Sequence, residues 1–305
     1  MTTTSKQTHV DSVQAITALM NNFTVEVTPK GAAKIADFRE HLEPGTRVYV
    51  TALPGTDFGD TVETCKKLHS DGMHAIPHFT GRSLRSKDDL EERLRRVTGE
   101  ANVTEVLAIA GADTTPQGPY PDSSSMIETG LFDKYGIKSI GIAGHPEGSP
   151  DIDKPLLREH GQRKIDYAGL TDTRLYMVTQ FVFEAQPVID WIERVRQEGN
   201  QLPLIVGLPG IASLKSLIGH AKACGVGASM KVLTRQAKNL HKLMSPQEPN
   251  QLVRELAEYA AANPQSNIAG VHVYPLGGLL PSAKWAYKVA EGQINLTASG
   301  FETNK

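Results

Sequence analysis

Eight short runs rich in β-branched and aromatic residues recur along this chain, each separated from the next by a stretch with helical spacing, and that alternation leaves few folds open. The runs are Phe23–Val27 (FTVEV), Arg47–Thr51 (RVYVT), His74–Pro77 (HAIP), Glu105–Ala110 (EVLAIA), Ser139–Ala143 (SIGIA), Leu175–Thr179 (LYMVT), Pro203–Gly207 (PLIVG) and Gly270–Tyr274 (GVHVY). Between them, Val188, Trp191, Ile192 and Val195 fall at i, i+3, i+4 and i+7, as do Leu214, Leu217, Ile218 and Ala221. Strands joined through helices pair in parallel, and eight such units close into a (β/α)8 TIM barrel. The rival is an open, doubly wound α/β sheet. Against it, no GxGxxG follows the first run, which continues instead into Thr28, Pro29, Lys30 and Gly31.

A chain of 305 residues suits a single barrel. The expected organisation is a flexible N-terminal tail over residues 1–12 and one (β/α)8 catalytic domain over residues 13–305. The segment between the seventh and eighth strands is long and carries two further helical patterns, around Met230–Leu243 and Gln251–Ala262, which read as extra helices decorating the barrel. Thr114–Ser125 (TTPQGPYPDSSS) reads as the loop above the fourth strand, a position where barrels bind ligands.

With 22% charged residues and a formal net charge of −2, the chain offers no electrostatic reason to expect nucleic acid as a partner. No stretch approaches the roughly 18 apolar residues of a membrane helix. The opening MTTTSKQTHVDSVQ lacks the apolar segment of a signal peptide, so the expected compartment is the cytoplasm. Cys65 and Cys224 stand far apart without CxxC spacing and are expected to be reduced, buried small residues.

In a (β/α)8 barrel the carboxyl ends of the strands converge on one mouth, and here they are polar. The first strand carries Glu26, the second ends in Thr51, the third runs into His78 and the fourth reaches Asp113. The fifth gives His145 and Glu147, the sixth ends in Gln180, and the eighth ends in Tyr274. Each alone has a structural explanation, such as a lysine partner or a capped turn. Seven strand ends together argue for a pocket, because a buried unpaired polar group costs roughly 1–3 kcal/mol. Glu26 lies inside a strand pattern, where burial is expected to raise its pKa and keep an acid protonated for donation to a leaving nitrogen. Gln180 and Asp113 offer donors and acceptors to the edge of a heterocycle. A facial triad of His78, His145 and Glu26 lacks any HxH or ExxH pair in support. Arg163 and Lys164, read as opening the helical stretch before the sixth strand, are either a diphosphate contact or a solvated helix face. GVGAS (residues 225–229) has the composition of a phosphate nest or of a helix end.

Over about residues 20–290 the chain resembles the methylenetetrahydrofolate reductase family. The resemblance rests on FTVEVTPK (23–30), similar to the family's Phe-Glu-Phe-x-Pro-Pro opening, on VTA (50–52), AIPHFT (75–80), AGHPEGSPD (143–151) and TQFVFE (179–184). It implies a barrel that passes hydride from NADH or NADPH through FAD to 5,10-methylenetetrahydrofolate, giving 5-methyltetrahydrofolate in one-carbon metabolism and methionine biosynthesis. Carried over by position, Glu26 is the general acid, Gln180 holds the folate, and Asp113 sits between flavin and pterin. His220, Tyr274 and Leu276 complete the substrate site. Thr51, His78, Gly111, Tyr120 and His145 line the flavin, and Arg163 and Lys164 meet its diphosphate. The chain departs from the family in having GAD (111–113) for Arg-Gly-Asp, and His220 where an aromatic residue usually stacks. The resemblance therefore also admits a flavin-independent reductase, a folate-dependent demethylation or methyl-transfer barrel, or a non-catalytic folate-binding barrel. A homo-oligomer is compatible with each.

Overall fold

A computed structural model describes residues 11–149, 152–223 and 245–304. Its centre is a closed barrel of eight parallel strands: β1 (Thr24–Val27), β2 (Arg47–Val50), β3 (His74–Thr80), β4 (Glu105–Ile109), β5 (Ser139–Gly144), β6 (Arg174–Phe181), β7 (Leu204–Pro209) and β8 (Ile268–Tyr274), each paired with its neighbours in sequence and β8 closing on β1. The longer helices are α1 (Ser12–Met20), α2 (Phe58–Ser70), α3 (Lys87–Ala101) and α4 (Lys154–Ala168), followed by α5 (Ala185–Gln197), α6 (Leu214–Ala223), α7 (Asn250–Ala262) and α8 (Leu279–Ala290). All eight expected runs are barrel strands, which excludes the open doubly wound sheet.

The alternation of a pleated strand sorts these residues into two cores. Val25, Val27, Val48 and Val50 point outward and pack under the helices. Their neighbours point inward: Tyr49, Ile76, Leu107, Tyr176, Val178 and Ile205 form a separate cluster inside the barrel. Tyr49 and Tyr176 join across that interior with hydroxyl oxygens 2.8 Å apart. Below them, at the amino ends of the strands, Arg47 pairs with Glu105 and lies over the Tyr176 ring, 5.8 Å from its centroid. The barrel is therefore filled through its middle, which separates the Arg47–Glu105 pair at the amino ends from the polar side chains at the carboxyl mouth.

Outside, α5 buries Val188, Trp191 and Ile192, and α6 buries Leu214, Leu217 and Ala221, as their spacing predicts. Cys65 is fully buried and free. Two expectations on helices change. The helix before β6 begins at Lys154, capped by the Asp153 side chain accepting from Leu156 N, so Arg163 and Lys164 lie in its last two turns and do not open it. Of the two inserted helices, α7 is present, whereas Met230–Leu243, GVGAS (225–229) and Cys224 lie outside the described residues, as does most of the 1–12 tail. Short paired strands at Ala212–Ser213 and Pro246–Gln247 bracket that insertion. Among the described residues no helix is long and apolar enough to cross a membrane.

Candidate active site at the barrel mouth

Period-two alternation places Glu26 inside the barrel, since Val25 and Val27 on either side of it are buried outward. Its carboxylate is contacted from both neighbouring strands. Thr51 Oγ1 donates to Oε2 at 3.3 Å, and His272 Nε2 on β8 stands 3.7 Å from the same oxygen, an ion-pair contact longer than a hydrogen bond. His272 is 2% exposed. Its ring is gripped edge-on by Tyr49 and Tyr274, with centroids 4.6 and 4.4 Å away, and its Nδ1 lies 2.7 Å from Thr24 Oγ1. Register explains the array: Thr24 pairs with His272 across the β1–β8 seam, and Glu26 with Tyr49 across β1–β2.

This neighbourhood overturns the expected direction of the Glu26 pKa. Burial alone would raise it. The contact with His272, the His272 and His78 rings and the Thr51 hydroxyl outweigh burial, and the carboxyl is held below its ordinary value. In the ligand-free barrel Glu26 is a carboxylate at neutral pH.

His78 belongs to β3 itself, because that strand runs on to Thr80. It is buried against Tyr49, its Nε2 has no hydrogen-bond partner, and burial pushes its pKa down to about 4. It borders a mouth cavity of about 410 Å³ reaching outward between residues 52–59 and α3, with Thr80 and Asp113 on the same wall. Gly111 turns the chain out of β4 with φ +94°, and a Cβ there would stand 3.0 Å from Thr80 Cβ. An arginine at this position would be strained, so the glycine fits its own local backbone. Among the described residues no group of three His, Cys, Asp or Glu side chains is placed to hold a metal ion.

On the opposite side, β6 is irregular. Its register against β7 shifts between Val178 and Phe181; Thr179 Oγ1 accepts from Gly207 N at 2.8 Å and donates to the Gln180 carbonyl at 2.8 Å. Only glycine fits at 207, where a Cβ would come within 2.6 Å of the Thr179 and Gln180 carbonyls. Gln180 therefore sits in a bulge at the mouth, half-buried, its side-chain amide without a hydrogen bond among the described residues. Tyr274 OH donates to Thr179 O at 2.9 Å, and its ring packs on Phe181, with Leu276 in the same cluster. His220 is exposed on α6.

The expected flavin residues divide. His145 is half-buried beside β5, its pKa pushed down to about 4 by burial and by the nearby Lys164. Lys164 is itself buried, and burial pushes its pKa down to about 8. Arg163 is turned away from it, with Nη2 2.7 Å from Glu128 Oε2 and Nη1 3.7 Å from Asp122. Tyr120 packs in the outer core, within electrostatic reach of Asp88 and Glu91 on α3. It does not join His78 and Asp113 at the cavity. The orphaned His78 nitrogen and the buried Lys164 ammonium fit a flavin with an anionic tail, whereas Arg163 is engaged by Glu128 and Tyr120 lies in the outer core.

The family model described as "Methylenetetrahydrofolate reductase" matches residues 13–276. The chain belongs to this family. Among curated members, methylenetetrahydrofolate reductase 1 of Schizosaccharomyces pombe is 35% identical over 88 residues, 28% of this chain and 14% of that protein. Methylenetetrahydrofolate reductase 2 of Saccharomyces cerevisiae is 31% identical over 113 residues, 36% of this chain and 18% of that protein. The matches thus span under a fifth of either yeast protein. Among solved structures, an uncharacterized protein from Clostridium thermocellum that binds two copies of 5-methyl-5,6,7,8-tetrahydrofolic acid shares the fold, with a TM-score of 0.55, 13% identity, and coverage of 91% of this chain and 98% of that one.

Reading the strand ends missed His272 and Thr24. The signal was present in the same alternation: in GVHVY, His272 has the parity of Tyr274, and in FTVEV, Thr24 has the parity of Glu26.

Proposed function

We propose that this barrel reduces 5,10-methylenetetrahydrofolate to 5-methyltetrahydrofolate at the expense of NADH or NADPH, with FAD held at the mouth. The observation that carries the proposal is Glu26: an acid on the inner face of β1, contacted by Thr51 and His272, with His78 beside it lining the mouth cavity that Asp113 also borders. A family match and a folate-binding neighbour of the same fold support the pterin as ligand. Gln180 reads the pterin edge with its unengaged amide, and Asp113 approaches from the β4 loop. Glu26 passes a proton to N10 as the bond between N10 and the bridging carbon breaks; the bonding electron pair stays on N10, and an N5 iminium is left to accept hydride. A bound flavin supplies the hydride relay between nicotinamide and that carbon. Thr51, His78 and Asp113 would hold its ring system, and Lys164 with His145 its diphosphate.

A second reading is direct reduction by the nicotinamide without flavin. It is favoured by the engagement of Arg163 with Glu128 and by the glycine at position 111. The absorbance spectrum of the protein as purified, followed by anaerobic titration with both nucleotides, separates the two. A flavin spectrum bleached by NADH or NADPH is expected. A colourless protein that still oxidises nucleotide when given methylenetetrahydrofolate supports the second reading, and one that oxidises none overturns both.

A further inference from the structure

Glu26 is a carboxylate in the ligand-free barrel, yet the proposed reaction needs it to deliver a proton. The fold places an imidazole against it, beside the Thr51 hydroxyl. His272 lies at the centre of the barrel, its Nε2 3.7 Å from Glu26 Oε2 and its Nδ1 2.7 Å from Thr24 Oγ1. Thr24 Oγ1 also lies 3.4 Å from the Val271 carbonyl. A threonine hydroxyl has one hydrogen: when it points to that carbonyl, its lone pairs face Nδ1 and require a proton there. In that orientation Nδ1 keeps its hydrogen through every step, and Nε2 is the nitrogen that gains and loses one. The Tyr49 and Tyr274 rings fix the imidazole plane so that Nε2 stays aimed at Glu26.

We infer that Thr24 and His272 are positioning residues that hold, between Nε2 and Glu26, the single proton the reaction consumes. The proton starts on the nitrogen side of this 3.7 Å contact because Glu26 is held as a carboxylate. A pterin entering the mouth displaces water and lowers the local polarity, which penalises separated charges. The proton then moves from Nε2 to Oε2, giving a neutral imidazole that retains Nδ1–H and a neutral carboxylic acid; net charge and proton count are unchanged. After Glu26 protonates N10, the pair is one proton short, and solvent restores it once product leaves. The groups facing the array are Glu26 and Thr24 on β1, Tyr49 on β2 with Thr51 just beyond it, His78 on β3 and Tyr274 on β8 itself. His78 is held uncharged by burial, so it does not compete for the proton.

This inference rests on the proposed reaction for its catalytic consequence, but its structural half is testable without folate. In ligand-free protein, a nitrogen-15 NMR titration of the His272 ring is expected to show an Nδ1–H tautomer on deprotonation. In Glu26→Gln, the ring is expected to lose its charge about 1 unit or more lower in pH than in the wild type, the scale of an adjacent opposite charge. Coincident titration curves, or an Nε2–H tautomer, would overturn the shared proton whatever the enzyme reduces. In turnover, Thr24→Val, a near-isosteric change, is expected to move the alkaline limb of kcat for folate reduction acidward while leaving nucleotide oxidation by an artificial acceptor unchanged. Thr24→Ser is expected to restore the wild-type limb. A Thr24→Val profile superimposable on wild type would overturn the positioning role, whereas absence of folate reduction in the wild type would count against the proposed function alone.

Discussion

Arg163 and Lys164 are consecutive and both lie within electrostatic reach of Asp122, yet they differ in burial and in partner. The guanidinium of Arg163 grips Glu128 at 2.7 Å on the surface, while the ammonium of Lys164 is buried beside His145 with no ion pair among the described residues. A buried amine with a lowered pKa is a cost to the fold and an asset to an anion.

Lys164→Met should therefore stabilise the ligand-free protein and weaken flavin binding. The sign follows from linkage: with the folded pKa at about 8 and the ordinary value at 10.5, the unfolded chain binds more protons between those limits, so the penalty is full below pH 8 and vanishes above 10.5. Thermal melts at pH 7 should show a gain of up to about 3 kcal/mol that disappears by pH 10.5. Arg163→Ala should cost less than about 1 kcal/mol, as exposed pairs do, and leave flavin affinity unchanged. If Arg163→Ala releases flavin and Lys164→Met does not, the assignment of the diphosphate contact is reversed.

Glu26→Gln should retain flavin and nucleotide binding while folate reduction falls by about 10²–10⁴-fold. Stopped-flow reduction of the flavin by nucleotide, set beside its reoxidation by methylenetetrahydrofolate, isolates the affected half. Turnover near wild-type rates would remove Glu26 from the mechanism.

For Gln180→Ala, the expectation is a raised KM for folate with nucleotide oxidation by an artificial acceptor nearly unchanged. The amide makes no hydrogen bond among the described residues, so its removal should barely affect the fold. Equal losses in both assays would show that the change acts through the β6 bulge and not through the pterin.

Acid should destabilise the protein before its carboxylates titrate. His78 and His145 are buried uncharged with pKa values of about 4, while an unfolded histidine protonates near 6.5. The unfolded chain takes up those protons first, so stability is full above pH 6.5 and falls as pH drops toward 4, by up to about 3 kcal/mol per histidine. Melting temperatures of the His78→Gln, His145→Gln double variant should be flatter across that range than those of wild type. A slope equal to wild type would assign acid sensitivity to other groups.

The barrel was legible because its strands repeat. Eight runs with helical spacers admit one closed arrangement, and each was recovered to within a few residues at its ends. The strand pattern left Glu26 pointing either into the barrel or against the helices, and the outward burial of Val25 and Val27 decides for the barrel. The direction of its pKa was not legible there, since burial was visible in the strand pattern while His272, 246 residues away, was not. Arg163 shows the same limit: its basic character was plain, but Glu128 claims it through a contact 35 residues distant. Tyr120, placed by resemblance at the flavin, turns instead into the outer core beside α3.

The order of polar and apolar residues alone determined the eight strands, which side chains face the lumen, and which strand ends carry chemistry, because alternation and spacing are local properties of a chain. Only barrel closure decided which of those side chains meet. Joining β8 to β1 sets Thr24 against His272 and His272 against Glu26, and a proton's preference between a ring nitrogen and a carboxylate depends on distances that exist only after the last strand pairs with the first.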